Sequence, residues 1–306
     1  AHVAKVMAGA LFAAHLDEWL AASRATEKTQ AMQRADVKRF AKEFPALANV
    51  TKPEVRRWCD RTMSDEGLTL KTMQRVLSAL RGYWSYLQSL EAAPAGESPF
   101  KALSLKDGGR VKDDKRKPFA PADVVKLCNA ALAADDRELA DIVSVAMWSG
   151  ARIEEVCSLK VERVNLTGKL PSFKVAEGKT DAALREVPVH ASLRPVLARL
   201  IGDRTEGYVF ADLTENKYGD RSNAPGKRFG YLKSRLGFGP QFVFHSIRKT
   251  VATMFENAGV PENVAADIIG HEKPTMTYGL YSGGSSLATK HAAVKKLSYE
   301  EEGKAE

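Results

Sequence analysis

The chain has 306 residues, 44% of them hydrophobic, enough for about two domains with cores of their own. It lacks the run of ~18 apolar residues a membrane-spanning helix needs, and its three scattered cysteines (Cys59, Cys128, Cys157) argue against a disulfide framework or zinc site and for a reducing cytosol. The net charge of +8 is concentrated early, with 21 Lys+Arg against 14 Asp+Glu in residues 1–117, which points to a polyanionic partner such as nucleic acid.

Taken in chain order, residues 8–91 carry helical periodicity throughout: LFAAHLDEWLAAS, TEKTQAMQRADVKRFAKEF, TKPEVRRWCDRTMS and LTLKTMQRVLSALRGYWSYLQSL. The opening stretch is too interrupted by Lys5 and His15 to read as a signal peptide and is expected to lead into a helix. Thr51, with Pro53 and Glu54, marks a helix start. Residues 92–118 are rich in Pro, Gly and charge and read as a linker, including the Lys115-Arg116-Lys117 run.

Beyond residue 119 the pattern is mixed. PADVVKLCNAALAA, RELADIVSVAMWSG and RIEEVCSLKVERV read as three helices, and SFKVAEGKTDAALREVPVH alternates like two strands around a polar turn. SLRPVLARLI, NAPGKRFGYLKSRLG, FHSIRKTVATMFENAG and PENVAADIIG follow as helices, with glycines at their ends. The segment SLATKHAAVKKLSYEEE reads as a C-terminal helix, which packs either on its own domain or on a neighbouring subunit. The expected fold is mainly α with a small antiparallel sheet: a helical domain over 1–91, a linker over 92–118, and an α+β domain over 119–306.

Four segments carry side chains suited to a phosphate. Arg152, in GARIEE, opens a helix after a glycine break, where orphan N–H groups and a guanidinium favour an anion. Lys179 sits in the polar turn of the hairpin, placed to donate a proton. His245 and Arg248, in HSIRK, are three apart on one helix face. His271 follows a helix-ending glycine, and Tyr278 and Tyr281 come next. Each taken alone has a plain structural reading, as a surface arginine, a solvated lysine, a capping histidine or a packed ring. A tyrosine hydroxyl becomes a useful nucleophile only where cations stabilise its phenolate.

In this order the set resembles the tyrosine recombinase (phage integrase) family, whose core is Arg, Lys, His-x-x-Arg, His and Tyr. The resemblance covers roughly 120–290 by motif and 8–91 by helical character. It implies a helical core-DNA-binding domain and a catalytic domain that cuts DNA through a 3′-phosphotyrosyl intermediate. Tyr281 would be the nucleophile, with Tyr278 the alternative. Arg152 and Arg248 would hold the phosphate, Lys179 would protonate the leaving 5′-oxygen, and His245 and His271 would add hydrogen bonds. Glu155 would orient Arg152, one helical turn away.

The resemblance also implies no metal, ATP or other cofactor. It implies a homotetramer on double-stranded DNA attachment sites, accessory DNA-bending proteins, and a role in phage or mobile-element integration and excision. Because the chain starts at Ala1 rather than Met, an arm-binding domain upstream is expected as well. Lys71, Arg75 and Arg81 on the fourth periodic segment are the candidate DNA contacts. Two other classes stay open: a type IB topoisomerase, which shares the chemistry, and a DNA-binding relative without activity.

Overall fold

The computed structural model describes residues 10–106, 115–175, 184–272 and 282–299. The chain divides into two compact units, Ala1–Lys112 and Asp113–Glu306.

Among the described residues, the first unit holds the α-helices α1 (Leu16–Ala22), α2 (Glu27–Glu43), α3 (Lys52–Asp65) and α4 (Leu70–Ser89). Threonine side chains start three of them, with Thr26, Thr51 and Thr69 accepting from the N–H groups of Thr29, Glu54 and Thr72. The apolar stripes of these helices meet around Phe12, Phe40, Trp58, Tyr83 and Phe100, all essentially buried. The Tyr83 hydroxyl satisfies itself on the Phe12 carbonyl at 2.7 Å.

Two expectations are corrected here. The helix expected over LFAAHLDEWLAAS starts only at Leu16, because Leu11 bridges Ala46 and the Phe12 N–H donates to Pro45 O at 2.8 Å. Residues from 92 onward do not begin as a free linker. Ala93 and Phe100 are buried in this core, and Leu103 and Leu105 pack against it.

The second unit holds α5 (Pro121–Ala133), α6 (Arg137–Ser149), α7 (Ile153–Cys157), β1 (Val164–Asn165), β2 (Ser172–Val175), β3 (Arg185–Pro188), α8 (Arg194–Ile201), α9 (Asn223–Arg235), α10 (His245–Asn257), α11 (Glu262–Ile269) and α12 (Leu287–Val294). The strands form an antiparallel β1-β2-β3 sheet, with Val164 opposite Phe173 and Val175 opposite Arg185. The fold is thus mainly helical with one small antiparallel sheet.

The single helix expected over RIEEVCSLKVERV ends at Cys157. The chain then pairs outward: Val161 N–H donates to Gly207 O and Val209 N–H to Leu159 O, both at 2.8 Å. The C-terminal helix packs in cis, with Ala293, Val294, Leu297 and Tyr299 buried in this unit's own core. Among the described residues, no helix is long and apolar enough to cross a membrane.

Candidate active site

Three helix junctions bring the site together. The first ends α6. Gly150 takes a left-handed conformation at φ 66°, letting the chain turn where a Cβ would lie 2.8 Å from Ile269 Cγ2 and 3.2 Å from Val251 Cγ1. Arg152 follows as the N-cap of α7, and its N–H donates to the Glu155 carboxylate at 2.8 Å, three residues ahead. The second junction ends α11 at Gly270, also left-handed at φ 71°, with His271 next. The third is the start of α10, where His245 opens the helix and Arg248 follows one turn on.

Two of the expected arginines converge on a single acceptor. Arg152 Nη2 donates to Gly270 O at 2.9 Å and Arg248 Nη2 to the same oxygen at 3.1 Å. Arg248 is almost wholly buried, and its Nη1 donates to Gly150 O at 2.9 Å. Its Nε, also buried, has no acceptor among the described residues. A buried guanidinium N–H is a strong donor, and its chemistry suits an anionic acceptor. Burial, then the charges of Arg152 and Arg185, pull its pKa below the usual arginine range.

Arg185 is the residue that motif reading missed. It stands at the start of β3, opposite Val175, and its side chain is only 5% exposed. Its Nη2 and Nη1 meet the Glu155 carboxylate at 2.8 and 3.2 Å, and its Nε donates to Ile268 O at 2.7 Å. Glu155 also accepts from Arg152 Nη1 at 2.6 Å. One carboxylate therefore serves two guanidiniums. Burial alone would raise the Glu155 pKa, but hydrogen bonds and charge from Arg185 and Arg152 outweigh it and hold the carboxyl ionised. The sequence signal for Arg185 was faint: one arginine beginning a strand, thirty residues from its partner.

His245 and His271 lie in the field of these cations. Partial burial and then the charges of Arg248 and Arg152 lower both imidazoles, His271 to about 4. Both are therefore neutral near pH 7, able to donate or accept a proton. Three guanidiniums, one carboxylate and two neutral imidazoles give the site a net positive charge suited to a phosphate. Lys179, Tyr278 and Tyr281 lie outside the described residues.

In the first unit, α4, which itself contains no Asp or Glu, leaves Lys71, Gln74, Arg75, Ser78, Arg81 and Ser85 exposed. Arg75 is engaged by the nearly buried Asp36, its Nη2 meeting Oδ1 at 3.0 Å. On α3, by contrast, Arg56, Arg57 and Arg61 are each paired with an acid, Asp60, Glu54 and Glu43.

Residues 118–284 match the family model described as the phage integrase family. The chain belongs to that family. Membership makes it a site-specific DNA recombinase. Among similar proteins is a tyrosine recombinase of Pseudothermotoga lettingae, 24% identical over 217 residues that cover 69% of this chain and 70% of the relative. The fold of the recombinase is similar to that of the Tn1549 transposon integrase in complex with circular intermediate DNA (TM-score 0.67, 18% identity, covering 97% and 99% of the two chains). It is also similar to lambda integrase, solved as a tetramer bound to a Holliday junction (TM-score 0.66, 15% identity, covering 87% and 79%).

Proposed function

We propose that this recombinase cuts and rejoins DNA attachment sites with Tyr281 as its nucleophile. The Tyr281 phenol gives its proton to a neutral imidazole of the site, and its oxygen attacks a phosphodiester in line, forming a 3′-phosphotyrosyl bond as the P–O5′ bond breaks. Lys179 delivers a proton to the departing 5′-oxygen. A 5′-hydroxyl of the partner strand then attacks the phosphotyrosine, regenerating the phenol and a phosphodiester. Arg152 and Arg248 hold the non-bridging oxygens and offset charge developing on phosphorus. Neutral His245 and His271 donate hydrogen bonds there, and Glu155 with Arg185 holds Arg152 in orientation. The bond energy is kept in the phosphotyrosine, so the reaction runs without ATP or metal.

The observation that carries this reading is the convergence of Arg152 and Arg248 on Gly270 O, beside a buried guanidinium N–H with no acceptor among the described residues. On the DNA side, the outer face of α4 presents Lys71 and Arg81 for phosphate contact, with Gln74 and Ser78 between them; Arg75 shares its charge with Asp36. By analogy with the lambda integrase tetramer bound to a Holliday junction, four copies act together. Integration or excision between two attachment sites, with accessory DNA-bending proteins, is part of the same proposal.

A nicked suicide DNA substrate tests the mechanism. The wild-type protein is expected to form a covalent adduct, stable in detergent, that Tyr281→Phe abolishes and Tyr278→Phe leaves intact. Loss in Tyr278→Phe instead assigns the nucleophile to Tyr278, and no adduct in any form defeats the reading. Efficient relaxation of supercoiled plasmid lacking an attachment site would favour topoisomerase behaviour.

A further inference from the structure

The Lys115-Arg116-Lys117 run is fastened to the second unit's own surface. The Lys117 N–H donates to Gln241 O at 3.1 Å, and Arg116 Nη1 donates to Pro240 O. Two residues on, Phe119 is buried and stacked on Phe242 with centroids 4.8 Å apart, and its carbonyl accepts from Thr250 Oγ1 at 2.8 Å. Lys249 Nζ closes the arrangement by donating to Arg116 O at 2.6 Å. Three consecutive cations are thus strapped against α10, with Lys115, Arg116 and Lys117 all exposed. Helix α10 is also the one that carries His245 and Arg248. His245 and Lys249 are four residues apart, about 6 Å along the axis and on one face. The charge of Lys249 reaches that imidazole: partial burial, then Arg248, Arg152 and Lys249, lower the His245 pKa. From Arg221 to Phe255 the chain has seven Lys+Arg and no Asp or Glu, so no carboxylate of this stretch offsets the charge. Like charges gathered in this way repel one another, and a polyanion laid across them relieves the repulsion.

We propose that Lys249 and the 115–117 strap bind the DNA backbone one or two phosphates from the one being cut, a reading that rests on Arg152 and Arg248 holding that phosphate. Each strand carries one charge about every 3.4 Å of duplex axis, so a step of about 6 Å from His245 reaches that neighbourhood. An ammonium has three donors, so Lys249 holds the Arg116 carbonyl and a phosphate oxygen together. Because backbone bonds and Phe119 fix the strap before DNA arrives, less freedom is lost on binding. Contacts to phosphates outside the reaction act on ground state and transition state alike. They therefore govern affinity and register rather than the rate of cleavage.

The test combines mobility-shift titrations at several salt concentrations with single-turnover adduct formation on the nicked substrate at saturating full-length protein. Lys249→Gln keeps an N–H for Arg116 O but removes the charge. It is expected to weaken binding by about 3- to 10-fold and flatten the salt dependence by about one ion. Lys249→Arg should restore both. Adding Lys115→Gln and Lys117→Gln should flatten the dependence by about one further ion per lysine, while the adduct rate at saturation stays within about twofold of wild type. Nicked substrates that each carry one neutral methylphosphonate beside the scissile position locate the contact. At one position the replacement should weaken wild-type binding about 3- to 10-fold yet leave the affinity of Lys249→Gln unchanged, since both changes remove one interaction. The proposal is overturned if the variants bind with wild-type affinity and salt dependence, or if every methylphosphonate weakens Lys249→Gln as much as wild type. Loss of adduct rate at saturation with binding intact overturns it too, placing Lys249 in the chemistry instead. Should Lys249→Gln fail to fold, Lys115→Gln with Lys117→Gln decides by the same titrations and substrates. A wild-type protein that makes no adduct overturns the functional reading itself, whereas wild-type adduct with unaffected strap variants overturns this inference alone.

Discussion

Replacing Arg185 with methionine keeps roughly the length of the side chain and removes its charge. In the folded protein this takes away two bonds to Glu155 and one to Ile268 O, from a guanidinium that is 5% exposed facing a carboxylate that is 8% exposed. Breaking one partner of a buried ion pair costs ~3–5 kcal/mol, because the remaining charge stays buried. Arg152 Nη1 still holds one Glu155 oxygen at 2.6 Å, which places the loss at the lower end, about 3 kcal/mol. A domain of this size loses ~2–4 °C per kcal/mol, so scanning calorimetry should show the melting temperature fall by about 6–12 °C. A double-mutant cycle with Glu155→Gln should give a coupling of about 1.5 kcal/mol or more, since both changes act on one interaction. Adduct formation should slow too, as Glu155 loses one of the two groups that fix its place beside Arg152. Melting within about 1 °C of the wild type, or a cycle that closes additively, would refute the claim that Arg185 is structurally coupled to the site.

Acidification gives a second test. The folded His271 pKa lies near 4, below its ordinary value, so the unfolded chain binds the proton more readily. Its contribution to stability is therefore full above about pH 6.5 and is lost as pH falls towards 4. Water reaches the ring, which screens the effect, so wild type should lose only a few degrees more than His271→Gln between pH 7.5 and 5; identical losses would contradict it. In the first unit, Arg81→Ala should weaken DNA binding across sequences and flatten the salt dependence by about one ion, measured by titration at several salt concentrations. Arg75→Ala should in addition lower the melting temperature, because it leaves the nearly buried Asp36 unpaired. Gly150→Ala should destabilise the protein by about 2 kcal/mol or more, from backbone strain and the clash with Ile269, as read in a denaturant melt.

Much of the site was legible because its parts are local. His245 and Arg248 share one helix face by spacing, Arg152 follows a glycine break, and His271 follows a helix-ending glycine, so each motif carries its own geometry. Arg185 was hidden because its meaning depends on strand pairing: only when β3 lies beside β2 does its side chain reach Glu155. The fold misreadings share that cause. The run after Cys157 has helical spacing, yet Leu159 and Val161 pair with residues 207–209, and the backbone follows those distant bonds. Leu11 and Phe12 sit in a helical pattern as well, but pairing with Pro45 and Ala46 draws them out of it. Phe100 lies in a Pro- and Gly-rich stretch whose composition hides a buried aromatic.

The acceptors that hold Arg248 are the main-chain oxygens of Gly150 and Gly270, and the second of these also serves Arg152. A carbonyl of the backbone is present whatever side chain a position carries. Substitutions around these two points can therefore accumulate over evolutionary time without deleting a single acceptor. Vulnerability is confined to the glycines themselves, where any side chain would shift the oxygen rather than remove it. The aim of the two arginines is therefore set by backbone geometry and not by the chemistry of the side chains around it.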